Sequence, residues 1–529
     1  MTPKHGAAIL LCGELESLGN DLDVRAVESW LGERFPEARV VRAPGPCENP
    51  ESFLNSCPIG SGRLILGLCR SVDKPELHRH LRKRGRDPFE VEVVALGGYG
   101  PQVPPRQEGT EKAKALLGGA MARSRAYSGS HPENIKPILS WDQRVSRRSL
   151  FTLPPLFYEA VPSISAEACA AKEGCRVCVV ACPREAIGPA DGRGLTLDKS
   201  LCTGCGACVS ACPRTAIDLP GASPSQLDAQ LAALLGGAPA APSPRGIVFV
   251  CERGVSTLEA LAQKGLPYPA GWFPVEVPCI GMVTPAWLLH SLNLGACAVA
   301  VLPCSREECR FGRPDVVRGR VDCTRELLSM LGASPERVRL LDPSDAPTLA
   351  RELASLPEPL SSHAGARSNG ASLFTPRAAT RALLDLADAY GAGRDRSLTH
   401  PHSPFGVVEV TEGCTACGAC VQACPTGSLA LERDREGLAL TFEAGLCIGC
   451  GECVPVCPES VVRVEQVTDL LRLSRGKHAL YRDSEARCEK CGGPVAPRAM
   501  LDRIGALLGN NPAISTITQY CLPCRGALR

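Results

Sequence analysis

From Arg245 to Leu341 the chain reads GIVFVCERG (246–254), then PVEVPCIGMVTPAWLLHSLNLGACAVAVLPCSREECRFG (274–312), and ends on RVRLL (337–341). The runs GIVFVC, PVEVPC and ACAVAVLPC are short and apolar, which is strand character. VSTLEALAQKG, TPAWLLHSLNLG and DVVRGRVDCTRELLSMLG carry helical periodicity, the second opened by Thr284 and Pro285. Strand and helix in alternation predict a parallel sheet with helices on its faces. Cys251, Cys279 and Cys304 each end a strand, and Cys309 lies five residues beyond the last of them. Sites in such sheets form at the carboxyl ends of the strands, and four thiolates gathered there can hold an iron–sulfur cluster. Cys297 and Cys323 fall inside a strand and a helix and read as buried structural residues. His290 reads as packed or exposed rather than as a ligand.

The same block holds the most apolar segment of the chain, Val275 to Leu302. Pro278, Pro285, His290 and Asn293 interrupt it, so no membrane span is expected. At 529 residues the chain exceeds one core, and about three to five domains are expected. A net charge of +2 provides no field for nucleic acid or an anionic membrane. One basic run, HRHLRKRGR (His78–Arg86), reads as a solvated helix face, with a docking patch for an acidic redox partner as the alternative. The thirty cysteines cluster at metal-ligand spacings and no signal peptide opens the chain. A cytosolic metalloprotein is expected, not a disulfide scaffold.

Working outward, Cys202, Cys205, Cys208 and Cys212-Pro213 follow C-x2-C-x2-C-x3-C-P, the bacterial spacing for cubane clusters. Gly204, Gly206 and Ala207 keep that loop slim, so backbone N–H groups can approach sulfur. The partner half, Cys169, Cys175, Cys178 and Cys182-Pro183, has a longer first gap, CAAKEGC. The fourth cysteine of each half serves the other cluster. The expected [4Fe-4S] sets are therefore Cys169, Cys175, Cys178 with Cys212, and Cys202, Cys205, Cys208 with Cys182. The alternative at Cys169 is a three-iron site without it. A second pair is regular in both halves: Cys414, Cys417, Cys420 with Cys457, and Cys447, Cys450, Cys453 with Cys424.

The first hundred residues alternate AAILLC, DVRAVESWLGERF, ARVVRA, RLILGLC, PELHRHLRKR and FEVEVVAL, another strand–helix series. Cys12 and Cys69 lie at strand ends, and Cys47 and Cys57 follow a third strand. These four can hold a further [4Fe-4S] cluster, or can be small buried residues. ILLCG, Pro46-Cys47 and LILGLCRSVDKPELHRHLRKRGRDPFEVEVV resemble the amino-terminal domain of the heterodisulfide reductase A subunit. That resemblance implies an iron–sulfur cluster, although the family's Cys-x-Cys-Gly is reduced here to Cys12-Gly13.

VPCIGMVTPAWLLHSLNLGA, VLPCSREECRFG and RELLSMLGASPERVRLL are similar to the delta subunit of methyl-viologen-reducing hydrogenase. The resemblance covers about 95 of the 529 residues. It implies a [2Fe-2S] cluster on Cys251, Cys279, Cys304 and Cys309. At the carboxyl end, CEKCG (488–492) and CLPC (521–524) read as two hairpin-like knuckles either side of a helix, APRAMLDRIGALLG. Cys488, Cys491, Cys521 and Cys524 suit one tetrahedral zinc. A rubredoxin-like iron or bare thiol pairs are the alternatives.

The expected fold class is multidomain α/β and α+β. Two parallel-sheet α/β cluster domains (1–100 and 246–345) combine with two ferredoxin-like 2[4Fe-4S] modules (163–220 and 406–465) and a zinc-ribbon-like module (480–529). Linkers fill 101–162 (with a helix over Glu111–Ser124), 221–245 and 346–405, the last with one helix. No G-x-G-x-x-G follows a strand and no adjacent Cys-Cys pair occurs, so neither a flavin nor a disulfide-reducing centre is expected. An electron-transfer subunit of a cytoplasmic anaerobic complex is the favoured function. Its expected partners are hydrogenase, formate dehydrogenase, heterodisulfide-reductase-type or aromatic-ring reductase subunits. A catalytic or bifurcating subunit is the main alternative, and a cluster-based sensor lacks a basic face or helix-turn-helix.

Overall fold

A computed structural model of the chain describes residues 6–16, 22–43, 45, 47, 62–97, 106–129, 134–139, 156–190, 194–236, 243–266, 268–304, 309–359, 375–434, 437–509 and 513–526. Its amino-terminal sheet contains β1 (Ala7–Cys12), β2 (Ala38–Ala43), β3 (Arg63–Leu68) and β4 (Val91–Ala95), all parallel in the order β2-β1-β3-β4. Every residue of β1 is buried, as a central parallel strand covered on both faces requires. Helix α1 (Val24–Arg34) is capped by the Asp23 side chain on the Ala26 amide, and α2 (Lys74–Lys83) by Asp73 with Pro75 in its first turn.

The segment read as the first linker is more ordered than that reading implies. It holds α3 (Arg106–Arg125) and an antiparallel ribbon of β5 (Ile135–Leu139) and β6 (Leu156–Ala160). Ala113, Leu117, Ala120 and Met121 of α3 join the amino-terminal core, whereas Ala115 and Leu116 join the core of the central domain. A helix wedged between two cores is apolar on two sides, which blurs the one-stripe pattern of a surface helix. The basic run on α2 also differs from a wholly solvated face. His78 packs edge-on against Phe89 at 5.1 Å and Arg82 lies over the Tyr158 ring of β6 at 5.2 Å.

The first ferredoxin-type module pairs β7 (Ser163–Ile164) with β10 (Ile217–Asp218) and β8 (Ile187–Ala190) with β9 (Gly194–Leu197). Its short helices are α4 (Val177–Ala181) and α5 (Ala207–Ala211). Helix α6 (Pro224–Leu235) follows, opened by a Ser223–Gln226 capping box, and its buried leucines tie α3 to the central core.

The central sheet has β11 (Gly246–Cys251), β12 (Trp272–Val277), β13 (Ala298–Leu302) and β14 (Val338–Leu340), parallel in the order β12-β11-β13-β14. Helix α7 (Val255–Gln263) lies toward one core, and α8 (Pro285–Asn293) and α9 (Pro314–Leu331) lie in the other. Cys323 is fully buried in α9, and Cys297 is buried just before β13 rather than within it. Among the described residues between 346 and 405 there are two helices where the sequence predicts one. Helix α10 (Ala346–Leu353) accepts the Trp272 indole N–H at the Leu353 carbonyl, 2.9 Å away, and α11 (Pro376–Ala389) packs on α8.

The second module extends past its expected limits. β15 (Ser397–Thr399), β16 (Val407–Val410), α12 (Ala419–Ala423), β17 (Leu429–Asp434) and β18 (Gly437–Glu443) precede β19 (Val462–Glu465), which pairs with β16. β20 (Val467–Asp469) pairs with β15, and after α13 (Leu470–Arg475) β21 (Lys477–Asp483) adds a third strand to β17-β18. The carboxyl-terminal unit has a hairpin of β22 (Glu485–Arg487) and β23 (Pro494–Pro497), then α14 (Arg498–Leu508), α15 (Ala513–Gln519) and α16 (Leu522–Gly526). Its second knuckle is helical, not a hairpin. No described helix is long and apolar enough to cross a membrane.

Candidate iron–sulfur and metal centres

Parallel strands deliver the central group. Cys251 ends β11, Cys279 and Cys304 follow β12 and β13 by two residues each, and Cys309 lies beyond. Contact with Cys251, reinforced by burial, pushes the Cys279 thiol far up. Burial pushes Cys304 up to about 12, with Cys251 and Cys309 adding to it. The Gly281 amide donates to Cys279 Sγ at 3.4 Å and the Gly312 amide to Cys309 Sγ at 3.3 Å. Neutral thiols crowded this way lose their protons to a bound cation, because metal charge outweighs burial.

In the first module burial raises Cys178 to about 12, and Cys212, Cys175 and Cys169 are the thiols that raise it further. Burial likewise raises Cys208, with Cys205 and Cys202 foremost among its neighbours and Cys182 also present. The fourth cysteine of each half thus faces the three of the other. The long loop CAAKEGC is a short 3-10 turn over Ala170–Glu173, closed by left-handed Gly174, and it keeps Cys169 beside Cys175 and Cys212.

The second module repeats the pattern. One small cavity is lined by Cys414, Cys417, Cys420 and Cys457 together, with Gly418, Leu440, Val461 and Val462. Burial raises Cys420 to about 11, and Cys414, Cys417 and Cys457 add to it. Burial raises Cys453 to about 12, with Cys447, Cys450 and Cys424 as its first thiol neighbours. Four convergent sulfurs around an apolar-walled space fit a cubane cluster.

A local device accompanies each of the four Cys-Pro pairs of the two modules. Glu185, Thr215, Gly427 and Ser460 each stand three residues after the fourth cysteine of a half, and all have φ between +49° and +70°. Such a conformation is costly for non-glycine residues and persists where the surroundings impose it. It turns the next amide back toward sulfur. Ala186 and Ala216 donate to Cys182 Sγ and Cys212 Sγ at 3.3 Å. The repeats CPRE, CPRT, CPTG and CPES are visible in the sequence, but their handedness is not.

Two seams bring the groups into a row. Between the central domain and the first module, the Thr203 hydroxyl donates to the Arg310 carbonyl at 3.3 Å and Gly206 packs against Met282. Within the central domain, Arg320 of α9 donates to the carbonyls of Gly281 at 2.7 Å and Val283 at 3.1 Å. Burial lowers its guanidinium to about 10 against the opposing pull of Cys205 and Cys279. Arg310 adds ion pairs to Glu252 at 3.2 Å and Glu159 at 3.5 Å. Between the two modules the Arg176 amide donates to Glu452 at 2.8 Å, and Arg214 Nε donates to the Pro425 carbonyl at 2.6 Å. Arg320 belongs to no motif, and Arg176 and Glu452 occupy variable positions inside Cys-x2-Cys, so the spacing does not mark them out.

At the amino end the Sγ atoms of Cys12, Cys47 and Cys69 lie 3.7, 3.9 and 2.9 Å apart. Cys57 lies outside the described residues. Ser71, just past Cys69, donates to Glu259 of α7 through its amide at 2.8 Å, which holds this group against the central domain. At the carboxyl end the sulfurs of Cys488, Cys491, Cys521 and Cys524 all lie within 4.8 Å of one another. Zn–S bonds of about 2.3 Å put tetrahedral sulfurs about 3.8 Å apart, so a single ion fits this group. The backbone N–H of Cys521, then those of Cys491 and Lys490, lower Cys488 to about 6. Arg503–Glu459 and Arg433–Glu485 pairs hold the unit against the second module.

Residues 247–360 match the family of the methyl-viologen-reducing hydrogenase delta subunit, 413–461 the 4Fe-4S dicluster domain, and 195–218 the 4Fe-4S binding domain. The chain is 28% identical over 102 residues to an iron-sulfur subunit of the F420-non-reducing hydrogenase vhu of Methanococcus voltae, across 19% of this chain and 76% of that protein. It is 39% identical over 75 residues to an iron-sulfur subunit of the F420-non-reducing hydrogenase of Archaeoglobus profundus, across 14% of this chain and 54% of that one. This is an iron–sulfur protein with ferredoxin-type 4Fe-4S domains and a region related to a hydrogenase iron–sulfur subunit.

Proposed function

We propose that this chain is the wiring subunit of a redox complex, passing single electrons along a row of cysteine-held clusters. Cys169, Cys175, Cys178 and Cys212 would hold one [4Fe-4S] cluster, and Cys202, Cys205, Cys208 and Cys182 a second. Cys414, Cys417, Cys420 and Cys457 would hold a third, and Cys447, Cys450, Cys453 and Cys424 a fourth. Cys251, Cys279, Cys304 and Cys309 suit a [2Fe-2S] cluster, Cys488, Cys491, Cys521 and Cys524 a zinc ion, and the amino-terminal group a fifth cubane in a heterodisulfide-reductase-A-like domain. Bound clusters of this kind supply one-electron uptake and release, with potentials set by burial, charge and N–H···S bonds. The chain's own residues space them and keep water away.

The observation that carries this reading is the pair of seams, where Gly206 of the first module meets Met282 of the central domain and where Glu452 meets the Arg176 amide. They set cysteine groups of three units beside one another, an arrangement useful to a relay and not to a single catalytic centre. The partners are a hydrogenase or dehydrogenase on one side and a heterodisulfide-type or other low-potential reductase on the other, in the cytoplasm. A second reading, a catalytic or bifurcating subunit with its own substrate or flavin, has one feature in its favour. A groove of about 640 Å³ beside the second module is lined by His290, Arg377, Thr380 and Arg381.

Iron, sulfide, zinc and flavin content after anaerobic purification tests both. Four cubanes and one [2Fe-2S] require about 18 irons, and an amino-terminal cubane about 22. Either value with one zinc and no flavin supports the relay. Stoichiometric flavin moves the second reading ahead, and iron near zero removes both.

A further inference from the structure

Each seam has a charged side chain beside its cysteines: Arg320 at the first, lying over the Phe311 ring, and Glu452 at the second. At the first, Arg320 is bound by the carbonyls of Gly281 and Val283, on the loop that begins at Cys279. That loop meets the Cys205 loop where Gly206 touches Met282. Among the described residues Arg320 has no carboxylate partner. A cation taken from water without a counter-ion is costly, so negative charge is expected at the neighbouring cysteines. At the second seam Glu452, two residues past Cys450, accepts from the amide one residue past Cys175. The Arg176 guanidinium donates instead to the carbonyls of Ala171 at 3.4 Å and Cys175 at 3.0 Å.

We infer that Arg320 and Glu452 polarise the row: the cysteine groups flanking Arg320 hold an electron more tightly than those flanking Glu452. The inference rests on the relay reading above. An electron added beside a fixed cation is stabilised, and one added beside a fixed anion is destabilised. Partly buried seams are screened by salt less than exposed surface is. The groups flanking Arg320 are Cys251/Cys279/Cys304/Cys309 and Cys202/Cys205/Cys208/Cys182. Those flanking Glu452 are Cys169/Cys175/Cys178/Cys212 and Cys447/Cys450/Cys453/Cys424. The downhill sense then runs from the second module toward the central domain. Arg320 and Glu452 are positioning residues, acting on the sites through charge and not as ligands.

The test is an anaerobic redox titration of the full chain with dithionite, followed by electron paramagnetic resonance. Arg320→Gln is expected to make the [2Fe-2S] signal harder to reduce, by about tenfold in the reduced-to-oxidised ratio at fixed potential, or about 59 mV for one electron. Glu452→Gln is expected to make cubane signals easier to reduce by a similar factor, and Arg320→Lys to keep the wild-type value. A purely structural Arg320 would lose iron in both substitutions without moving the potential of what remains. Unmoved potentials in Arg320→Gln and Glu452→Gln, or shifts of the same sign, overturn the inference. If Arg320→Gln does not assemble, Glu452→Gln alone decides, and an unmoved cubane potential there overturns it. Wild-type protein without iron or signals overturns the relay itself, a distinguishable failure.

Discussion

Gly206 lies so close to the Met282 thioether that a β-carbon built on it would sit 2.2 Å from the sulfur. Gly206 follows Cys205 in the first module and Met282 follows Cys279 in the central domain, so this contact sets how near two cysteine groups come. Gly206 also has φ +74°, and Met282 is fully buried with nowhere to retreat. Gly206→Ala is therefore expected to cost more than the roughly 1–2 kcal/mol of a left-handed alanine. Gly391→Ala is the control, with φ +65° and open space around it. Urea unfolding of both variants makes the comparison, and equal losses would mean that the seam yields and Gly206 spaces nothing.

Arg123 pins three segments at once. It donates to the Gln230 side chain at 2.8 Å, to the Glu276 carbonyl at 3.0 Å and to the Gly221 carbonyl, and it lies 3.4 Å from Glu92. Lys74 pairs with Glu276 beside it. Arg123→Met would strand Glu92, whose carboxyl burial already pushes upward, without its nearest cation. Breaking one partner of a buried pair costs about 3–5 kcal/mol. Faster hydrogen exchange along α3 and β4, with the second module unchanged, is the expected result. Unchanged exchange there would make the pair incidental.

What the sequence disclosed follows from the range of each interaction. β1, β3, β11 and β13 are readable because apolar runs ending at Cys12, Cys69, Cys251 and Cys304 are local signals. The Cys-Pro spacings are readable because a cluster fixes its ligands within a few residues. Helices α3, α6 and α11 read as pieces of linker because their partners lie far away in the chain. Ala115, Leu231 and Leu383 reveal their roles only once two cores are present. Arg320 and Glu452 matter through what faces them, which no spacing encodes.

Two histidines set an acid limit. Burial lowers His78 to about 4, with Lys74 adding to the effect, and burial alone lowers His290 to about 4. An unfolded imidazole titrates near 6.5. Both groups are thus neutral in the folded chain while the unfolded chain takes up protons. Their contribution is complete above about pH 6.5 and is lost as pH falls toward 4, by about 3 kcal/mol each. A His78→Gln, His290→Gln variant should show a flatter decline of urea midpoint between pH 6.5 and 5 than the parent. Acid lability of clusters is common to both proteins, so identical slopes would mean that neither histidine is buried as described.

The carboxyl-terminal unit should answer to metal removal separately from the rest. Its hairpin β22-β23 is short, and of α14 only Leu501 is buried. So small a core cannot offset the entropy of ordering some 40 residues, and units of this size depend on a metal or a staple. A zinc-selective chelator is expected to remove one zinc and unprotect amides over 485–497. The visible absorption of the clusters should remain, because Cys414 and Cys457 belong to the second module's own cavity. The Arg503–Glu459 pair is exposed on one side and cannot by itself hold the unit in place. Cys488→Ser should reproduce the effect of the chelator. Protection that survives both would show that the four cysteines are a thiol cluster without a structural ion.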